Sequence, residues 1–188
     1  MEKTYQGLYT TLLREHEEVF AKQDLAQLRA FMDAIKSCDG RVFVLGCGRE
    51  GIAARSFAMR LTHLGKKVHW LWDDTTPGMH PGDLFICVNG SGAIGNVMYV
   101  YEQAKKTGVD IAMITGDPIR CPKDVKHTLF IPAMVYRGTC PDVVHSDQPM
   151  GNLFEQHLFL LFDVIVMMLE KEVGQSHDAM EARHRNIE

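Results

Sequence analysis

The chain has 188 residues, of which 46% are hydrophobic and 23% charged, so it is long enough for one buried domain and too apolar for a disordered chain. A formal net charge of -4 without a basic stripe argues against nucleic acid binding. The five cysteines lack Cys-x-x-Cys spacing and charged residues follow Met1, which predicts a cytoplasmic protein with reduced thiols and no secretion signal.

Along the chain, a helical segment over residues 1–38 comes first, and strands then alternate with helices. Apolar side chains at helical spacing place the helical residues between about Tyr5 and Ile35. The predicted strands cover residues 42–45, 68–72, 84–88, 111–115 and 128–131, and the predicted helices between them cover 52–64 and 95–106. Since these strands are apolar along their whole length, we expect a parallel sheet with helices on both faces.

The last long helix, predicted between about Asn152 and Glu172, is apolar on nearly every side. Such a helix is expected to be buried all round, and in a small domain this indicates an interface between subunits of a homo-oligomer. Its strongest apolar run, residues 158–169, contains Asp163 and is too short to span a bilayer, so no membrane segment is expected. If Asp163 is buried, it needs a polar partner.

Two glycine-rich turns follow predicted strands and precede predicted helices. They are Gly46-Cys47-Gly48-Arg49-Glu50-Gly51 and Asn89-Gly90-Ser91-Gly92. Glycines let the backbone approach a ligand, and the free N–H groups of a helix start favour an anion. The carboxyl ends of parallel strands meet at one edge of the sheet, so the two turns together predict a site for a small molecule that carries a phosphate. In the alternative interpretation, the glycines serve only tight connections between strand and helix.

The first turn also matches the Gly-x-Gly-x-x-Gly fingerprint of dinucleotide-binding domains. Asp73 follows the next strand, about where an acid that binds the ribose would lie. An NAD-dependent oxidoreductase is therefore an alternative. The charged pair of Arg49 and Glu50 argues against it, because dinucleotide turns usually carry small or apolar residues there, and the hydroxyl of Ser91 suits a compact phosphate.

Glu155 lies in the first turn of the last long helix and is a candidate general base, if partial burial beside Phe154 and Leu158 tunes its pKa. In the alternative interpretation, its carboxylate only interacts with the helix dipole. The histidines are scattered and show no metal-ligand spacing, so no metal is expected, and a zinc site at His145 and His157 is a minor alternative.

Four stretches of the chain, in the same order, resemble the sugar isomerase (SIS) family and, within it, the 6-phospho-3-hexuloisomerases. They are the first glycine-rich turn and residues 56–65, 148–156 and 183–188. The resemblance implies a flavodoxin-like, three-layer α/β/α fold with a mainly parallel five-stranded sheet, formed by residues 1–188 as a single SIS domain. It also implies a homotetramer, in which a tail helix over residues 174–188 packs on a neighbouring subunit.

For function, the resemblance implies isomerisation of a sugar phosphate through a cis-enediol at the carboxyl edge of the sheet, without a cofactor or metal. The implied substrate-binding residues are Gly48, Arg49, Glu50, Asn89, Gly90, Ser91 and Gly92. Glu155 would be the base that moves a proton between adjacent carbons. His184, contributed by a neighbouring subunit, would help to open the sugar ring or move the hydroxyl proton.

Three residues depart from the pattern of the family near the expected phosphate. Glu50 stands where the family usually has serine, Asn89 opens a turn that usually begins with serine, and Ile94 replaces a threonine. A carboxylate repels a phosphate unless Arg49 or Arg55 offsets its charge. The chain is therefore expected to be a sugar-phosphate isomerase with an altered phosphate-binding loop. The alternative is a non-catalytic protein that binds or senses a sugar derivative.

Overall fold

The computed structural model of the chain describes residues 1–187, in which two helices are followed by five strands with helices interspersed among them and after the last. The strands are β1 (Arg41–Leu45), β2 (Lys67–Trp70), β3 (Leu84–Val88), β4 (Asp110–Thr115) and β5 (His127–Phe130). The helices are α1 (Glu2–Lys22), α2 (Leu25–Ser37), α3 (Gly48–His63), α4 (Gly95–Lys105), α5 (Asn152–Val173) and α6 (His177–Glu181), with a short 3-10 helix at Pro149–Gly151 before α5.

The sheet is parallel throughout and has the strand order β2-β1-β3-β4-β5. Alternate residues of a strand point to opposite faces. Val42 and Val44 join the core that contains side chains of α1, α2, α3 and α5, whereas Phe43 and Leu45 join the core that contains side chains of α4. The predicted three-layer α/β/α fold with a five-stranded sheet is therefore confirmed.

The register of the central strands determines where the glycine-rich turns lie. Leu45, the last residue of β1, pairs with Cys87 of β3. The two strands therefore end side by side, and the turns that follow them are neighbours at the carboxyl edge of the sheet.

The N-terminal helical segment consists of two helices rather than one continuous run. After α1 ends at Lys22, the carboxylate of Asp24 accepts hydrogen bonds from the backbone N–H groups of Ala26, at 2.8 Å, and Gln27, at 3.1 Å. Such an N-cap satisfies donors that the first turn of a helix leaves free, so it starts a second helix and explains the break.

Helix α5 lies in the core against α3. The ring of Phe162 stacks on the ring of Phe57 in α3, with centroids 4.3 Å apart and planes 8° from parallel. The stretch Pro149–Val173 is long and apolar enough to cross a membrane by length and composition, yet half of its most apolar window is buried within the chain. Such burial is typical of a helix in the core of a domain.

The expectation that α5 is buried on every side is wrong for the single chain. Phe159, Leu160 and Met167 are 39%, 41% and 59% exposed, and Asp163 on the same helix is exposed as well. Asp163 therefore needs no buried partner within this chain. Burial of this face by another subunit stays a prediction.

The C-terminal tail contains only the short helix α6, whereas a helix over residues 174–188 was expected. Within the chain the tail lies on α3, because Nη1 of Arg183 donates a hydrogen bond to the carbonyl of His63 at 2.9 Å. Packing of the tail on a neighbouring subunit stays a prediction, and Glu188 lies outside the described residues.

Candidate active site

A cavity of about 170 Å³ lies at the carboxyl edge of the sheet, where four segments of the chain meet. Its lining residues are Cys47, Gly48, Arg49 and Glu50 of the first turn, Ser91 and Ile94 of the second, Val135 and Tyr136 of the loop after β5, and Gly151, Phe154 and Glu155 at the start of α5. The fold thus brings the candidate base to the two glycine-rich turns.

The first turn is tight because two of its glycines touch. A Cβ atom on Gly51 would lie 2.6 Å from the carbonyl oxygen of Gly46, and one on Gly46 would lie 2.9 Å from the Cα of Gly51. The requirement for a tight connection therefore accounts for these two glycines. Gly48 differs, because it has a positive φ of 57° and faces the cavity with nothing within 4 Å of a Cβ atom.

The second turn contributes less to the cavity than expected. Ser91 lines it, whereas Asn89, Gly90 and Gly92 do not. The Asn89 side chain is fully buried, and its Oδ1 accepts a hydrogen bond from the backbone N–H of Ile94 at 3.3 Å. The buried Asn89 side chain therefore stabilises the conformation of the second turn.

Glu50 is buried between the two turns. Its side chain starts from the first turn of α3, the residue is 7% exposed, and its Oε2 accepts a hydrogen bond from the backbone N–H of Gly90 at 3.0 Å. Burial raises the pKa of Glu50 to about 8, with the Gly90 hydrogen bond opposing the rise and the charge of Glu155 adding to it. Near pH 7 the neutral carboxyl therefore predominates, which removes the repulsion expected between Glu50 and a phosphate.

Glu155 combines partial burial with access to the cavity. Its side chain is 24% exposed and lies 3.3 Å from Nη1 of Arg49, measured from Oε2. Burial raises the pKa of Glu155, and the positive charge of Arg49 opposes this effect. A carboxylate with a raised pKa is a stronger base than an exposed one, which suits a candidate general base.

Arg49 connects the first turn to the start of α5. Besides its ion pair with Glu155, its Nη1 donates a hydrogen bond to Oδ1 of Asn152. The Nδ2 of Asn152 in turn donates to Oε1 of Gln148 at 3.0 Å. These contacts fix Glu155 relative to the glycine-rich turn, and they place a positive charge beside its carboxylate.

A second anchor of α5, which the sequence analysis missed, is Glu15 of α1. The buried carboxylate of Glu15 accepts hydrogen bonds from the hydroxyl of Ser146 at 2.6 Å, the backbone N–H of Asp147 at 2.9 Å and Nε2 of Gln148 at 3.0 Å. Burial alone would raise the pKa of Glu15, but these hydrogen bonds outweigh it and lower the pKa. No local pattern marks Glu15, because its partners lie more than 130 residues away.

Val135 and Tyr136, which line the cavity, were also not predicted from the sequence. Both residues belong to an irregular loop between β5 and α5, where no periodicity or motif marks a position. They reach the site because the backbone of Gly151 packs directly against theirs.

His184 lies at the other end of α3 from Glu155. Its ring is 5.3 Å from the ring of His63, the last residue of α3, whereas Glu50 is in the first turn of that helix. At a rise of about 1.5 Å per residue, these two positions on α3 are about 20 Å apart. One chain therefore does not bring His184 and Glu155 together, and His184 instead lines a separate cavity with Arg60 and His63.

The residues of the two minor alternatives have other contacts. The carboxylate of Asp73 lies 3.7 Å from Nη2 of Arg55. His157 is fully buried, and its Nδ1 lies 3.2 Å from Nδ1 of His16. Among residues 1–187, no three His, Cys, Asp or Glu side chains are grouped so that they could hold a metal ion.

Comparison with known proteins finds similar chains. Residues 35–133 match the SIS domain family. The chain is 37% identical, over 79% of its length and 74% of the relative, to a 3-hexulose-6-phosphate isomerase of Mycobacterium gastri. It is 33% identical, over 79% of its length and 80% of the relative, to a 3-hexulose-6-phosphate isomerase of Bacillus subtilis. The crystal structure of a Methanococcus jannaschii protein, from which a function of 3-hexulose-6-phosphate isomerase was inferred, has a TM-score of 0.80 and 26% identity, covering 97% of this chain and 99% of that one.

Proposed function

This chain belongs to the SIS domain family, and we propose that it is a sugar-phosphate isomerase that converts a 3-ketose phosphate to a 2-ketose phosphate. The observation that carries the proposal is the position of Glu155, which faces the cavity between the two glycine-rich turns. The two relatives named above, both 3-hexulose-6-phosphate isomerases, support the choice of substrate class. The reaction needs no cofactor, because the electrons stay within the substrate.

In the proposed mechanism, Glu155 removes the proton from carbon 2, next to the carbonyl at carbon 3. The electrons of the C–H bond form a double bond between carbons 2 and 3, and the carbonyl oxygen takes up a proton to give the enediol. The proton held by Glu155 then returns to carbon 3, while the hydroxyl on carbon 2 loses its proton and becomes the carbonyl. Bonds and protons balance, so one positioned base and a route for the hydroxyl proton suffice.

Negative charge develops on the enediol oxygens during the proton transfer, and Arg49 is the cation next to the base. We propose that it stabilises this charge, since a fixed positive group beside a developing oxyanion lowers the barrier most when water is excluded. The phosphate would lie against Gly48 and Ser91 at the ends of β1 and β3, where the start of α3 offers backbone N–H groups.

The proposal is tested by carbon-bound hydrogen exchange in heavy water with 3-ketose, 2-ketose and aldose phosphates. We expect deuterium to enter carbon 2 of the 3-ketose phosphate and carbon 3 of the 2-ketose phosphate, together with interconversion of the two ketoses. Binding of the sugar phosphate without any exchange would instead support the non-catalytic binding protein. Thermal stabilisation by a nicotinamide nucleotide alone would support the oxidoreductase.

We further propose a cytoplasmic homotetramer in which His184 reaches the Glu155 site of a neighbouring subunit. The exposed apolar residues Phe159 and Met167 on α5 support an interface, the separation of His184 from Glu155 within one chain supports a contribution in trans, and the free thiols of all five cysteines fit a reducing compartment. Residues 1–10 of α1 are also exposed throughout, so they offer further surface to a partner.

Mixed oligomers test the contribution of His184. Glu155→Gln and His184→Ala subunits are each expected to be nearly inactive alone, and oligomers reassembled from both should regain up to about a quarter of the activity, because some sites combine an intact Glu155 with an intact His184. Sedimentation should show the same oligomer for all samples. If the mixture stays as inactive as its components, His184 does not act across subunits.

A further inference from the structure

Glu50 carries an oxygen atom that has no hydrogen-bond partner in the part of the chain that the structure describes. Its Oε2 accepts the hydrogen bond from Gly90, but its Oε1 is buried and has no hydrogen-bond partner among residues 1–187. The residue lines the cavity at the carboxyl edge of the sheet. A buried polar atom without a partner is costly, so it indicates a group that is completed by something outside the chain.

The surroundings of Glu50 favour its neutral form. The nearby cation, Arg49, is paired with Glu155 and held by Asn152, so it does not neutralise a charge on Glu50. An ionised Glu50 would be a buried carboxylate with a single hydrogen bond, next to a second carboxylate. Proteins avoid that arrangement, and burial accordingly raises the pKa of Glu50 to about 8.

The hydrogen bond from Gly90 determines which oxygen carries the proton. Because the N–H of Gly90 donates to Oε2, this atom acts as the carbonyl oxygen of the neutral acid. The hydroxyl is then at Oε1, which becomes a donor without an acceptor among the described residues 1–187. The missing partner is therefore a hydrogen-bond acceptor.

The groups that line the cavity favour a phosphate oxygen as that acceptor. Gly48, Glu50 and Ser91 all line the cavity, so a ligand there meets the start of α3, a carboxyl hydroxyl and a serine side chain. The first two supply hydrogen-bond donors, and the hydroxyl of Ser91 can donate as well as accept. The start of a helix adds a favourable field for an anion, so a phosphate matches this set of groups.

We propose that Glu50 binds the ligand in its neutral form, donating the hydrogen of Oε1 to a phosphate oxygen in the cavity between the glycine-rich turns. The inference rests on the proposed function, since it takes a sugar phosphate as the ligand. It makes phosphate binding depend on a proton that the protein holds, because the ionised Glu50 would lose the donor and repel the phosphate. A serine or backbone donor at this place would show no such dependence.

Other titratable groups near Glu50 need to be separated from its effect. Glu155 and Arg49 lie across the cavity, Cys47 and Tyr136 line it, and the buried thiol of Cys87 interacts with the Glu50 charge. Burial raises the pKa of Cys87, so this thiol stays neutral in moderately alkaline solution. All of these groups remain in a Glu50→Gln variant, which changes only the proton at this one position.

The test is titration calorimetry with fructose 6-phosphate, a stable 2-ketose phosphate, between pH 7 and pH 10. In this range the phosphate is already a dianion, with a second pKa of about 6. For the wild type we expect a constant Kd up to about pH 8, followed by a rise of roughly tenfold per pH unit. The Glu50→Gln variant should bind with a Kd within about threefold of the wild type at pH 7 and stay nearly constant to pH 10, because its amide N–H replaces the hydroxyl and does not titrate.

Different outcomes separate the inference from the proposed function. If the wild type binds fructose 6-phosphate and catalyses exchange, but its Kd does not change between pH 7 and pH 10, the inference alone is overturned. Loss of binding by Glu50→Gln at pH 7, with an unchanged melting temperature, also overturns it, because the amide preserves the donor. If the wild type binds no sugar phosphate at any pH, the proposed function fails and the inference with it.

Discussion

Replacement of Glu155 by glutamine is expected to lower the rate of carbon-bound hydrogen exchange about 10³-fold. The amide has nearly the same shape as the carboxyl but cannot accept a proton, and a positioned general base typically contributes 10² to 10⁴ in rate. The fold should persist, because the Glu155 side chain is partly exposed and Arg49 keeps its hydrogen bond to Asn152. The measurement is deuterium incorporation into the ketose phosphate, together with kcat for isomerisation and the melting temperature.

The control for this variant is Glu102→Gln on α4, which removes one exposed carboxylate that does not line the cavity. It should leave the exchange rate within about twofold of the wild type. An exchange rate for Glu155→Gln as high as that of this control would show that Glu155 only stabilises the start of α5, as the helix-dipole interpretation holds.

Replacement of Gly151 by alanine is expected to destabilise the protein by about 3 kcal/mol or more and to remove most of the activity. Gly151 has a φ of 74°, and a Cβ atom there would overlap the backbone N of Tyr136 and lie 2.7 Å from the carbonyl carbon of Val135. Both obstacles are backbone atoms, so the loop must move as a whole. Since Gly151 directly precedes α5, that movement displaces Glu155 as well. Urea denaturation at fixed protein concentration measures the loss.

The chain contains a matched control for Gly151 at the other end of α5. Gly174 has nearly the same backbone conformation, with a φ of 65°, but nothing lies within 4 Å of a Cβ atom placed on it. Gly174→Ala should therefore lower the free energy of unfolding by only about 1 kcal/mol, the strain of an alanine in the left-handed backbone conformation, and should retain activity. Equal losses of stability for the two variants would mean that the loop containing Val135 and Tyr136 moves at little energetic cost. The close contact at Gly151 would then not be needed to hold the site in place.

Glu50 illustrates how the environment can reverse an interpretation made from the residue type. As a charge in a phosphate-binding turn, it argued for weakened binding of the phosphate. In the structure the residue is 7% exposed and is held by the N–H of Gly90, in a setting that favours a neutral acid. In our proposal, the departure from serine is a change from one hydrogen-bond donor to another, with a dependence on pH that serine lacks.

Local sequence patterns were sufficient to predict the parallel sheet, the two glycine-rich turns at its carboxyl edge and the candidate base. The apolar strands such as Leu84–Val88, the turns that follow them and the helix that begins at Asn152 all have local patterns that neighbouring residues specify. The sequence resemblance to the SIS family, confirmed by the comparison with relatives, also rests on short stretches, which include the first glycine-rich turn and residues 148–156. The break between α1 and α2 was missed, although the cap at Asp24 is local, because the apolar periodicity outweighed a single capping residue.

Local patterns do not indicate which side chains meet at the site, because these contacts join distant parts of the chain. The contact of Glu50 with Gly90 joins residues 40 apart in the chain, and the contact of Glu15 with Ser146 joins residues 131 apart. In the structure, Asn89 is buried in the interior and His184 lies at the far end of α3 from Glu155. Such contacts depend on the order and register of the strands and on the paths of the loops. The contacts in turn determine the burial and the pKa of each side chain in the site. Periodicity and turn composition reflect the preferences of neighbouring residues, so they predict the helices, strands and turns. The packing of distant segments determines the burial and the protonation of each side chain in the site.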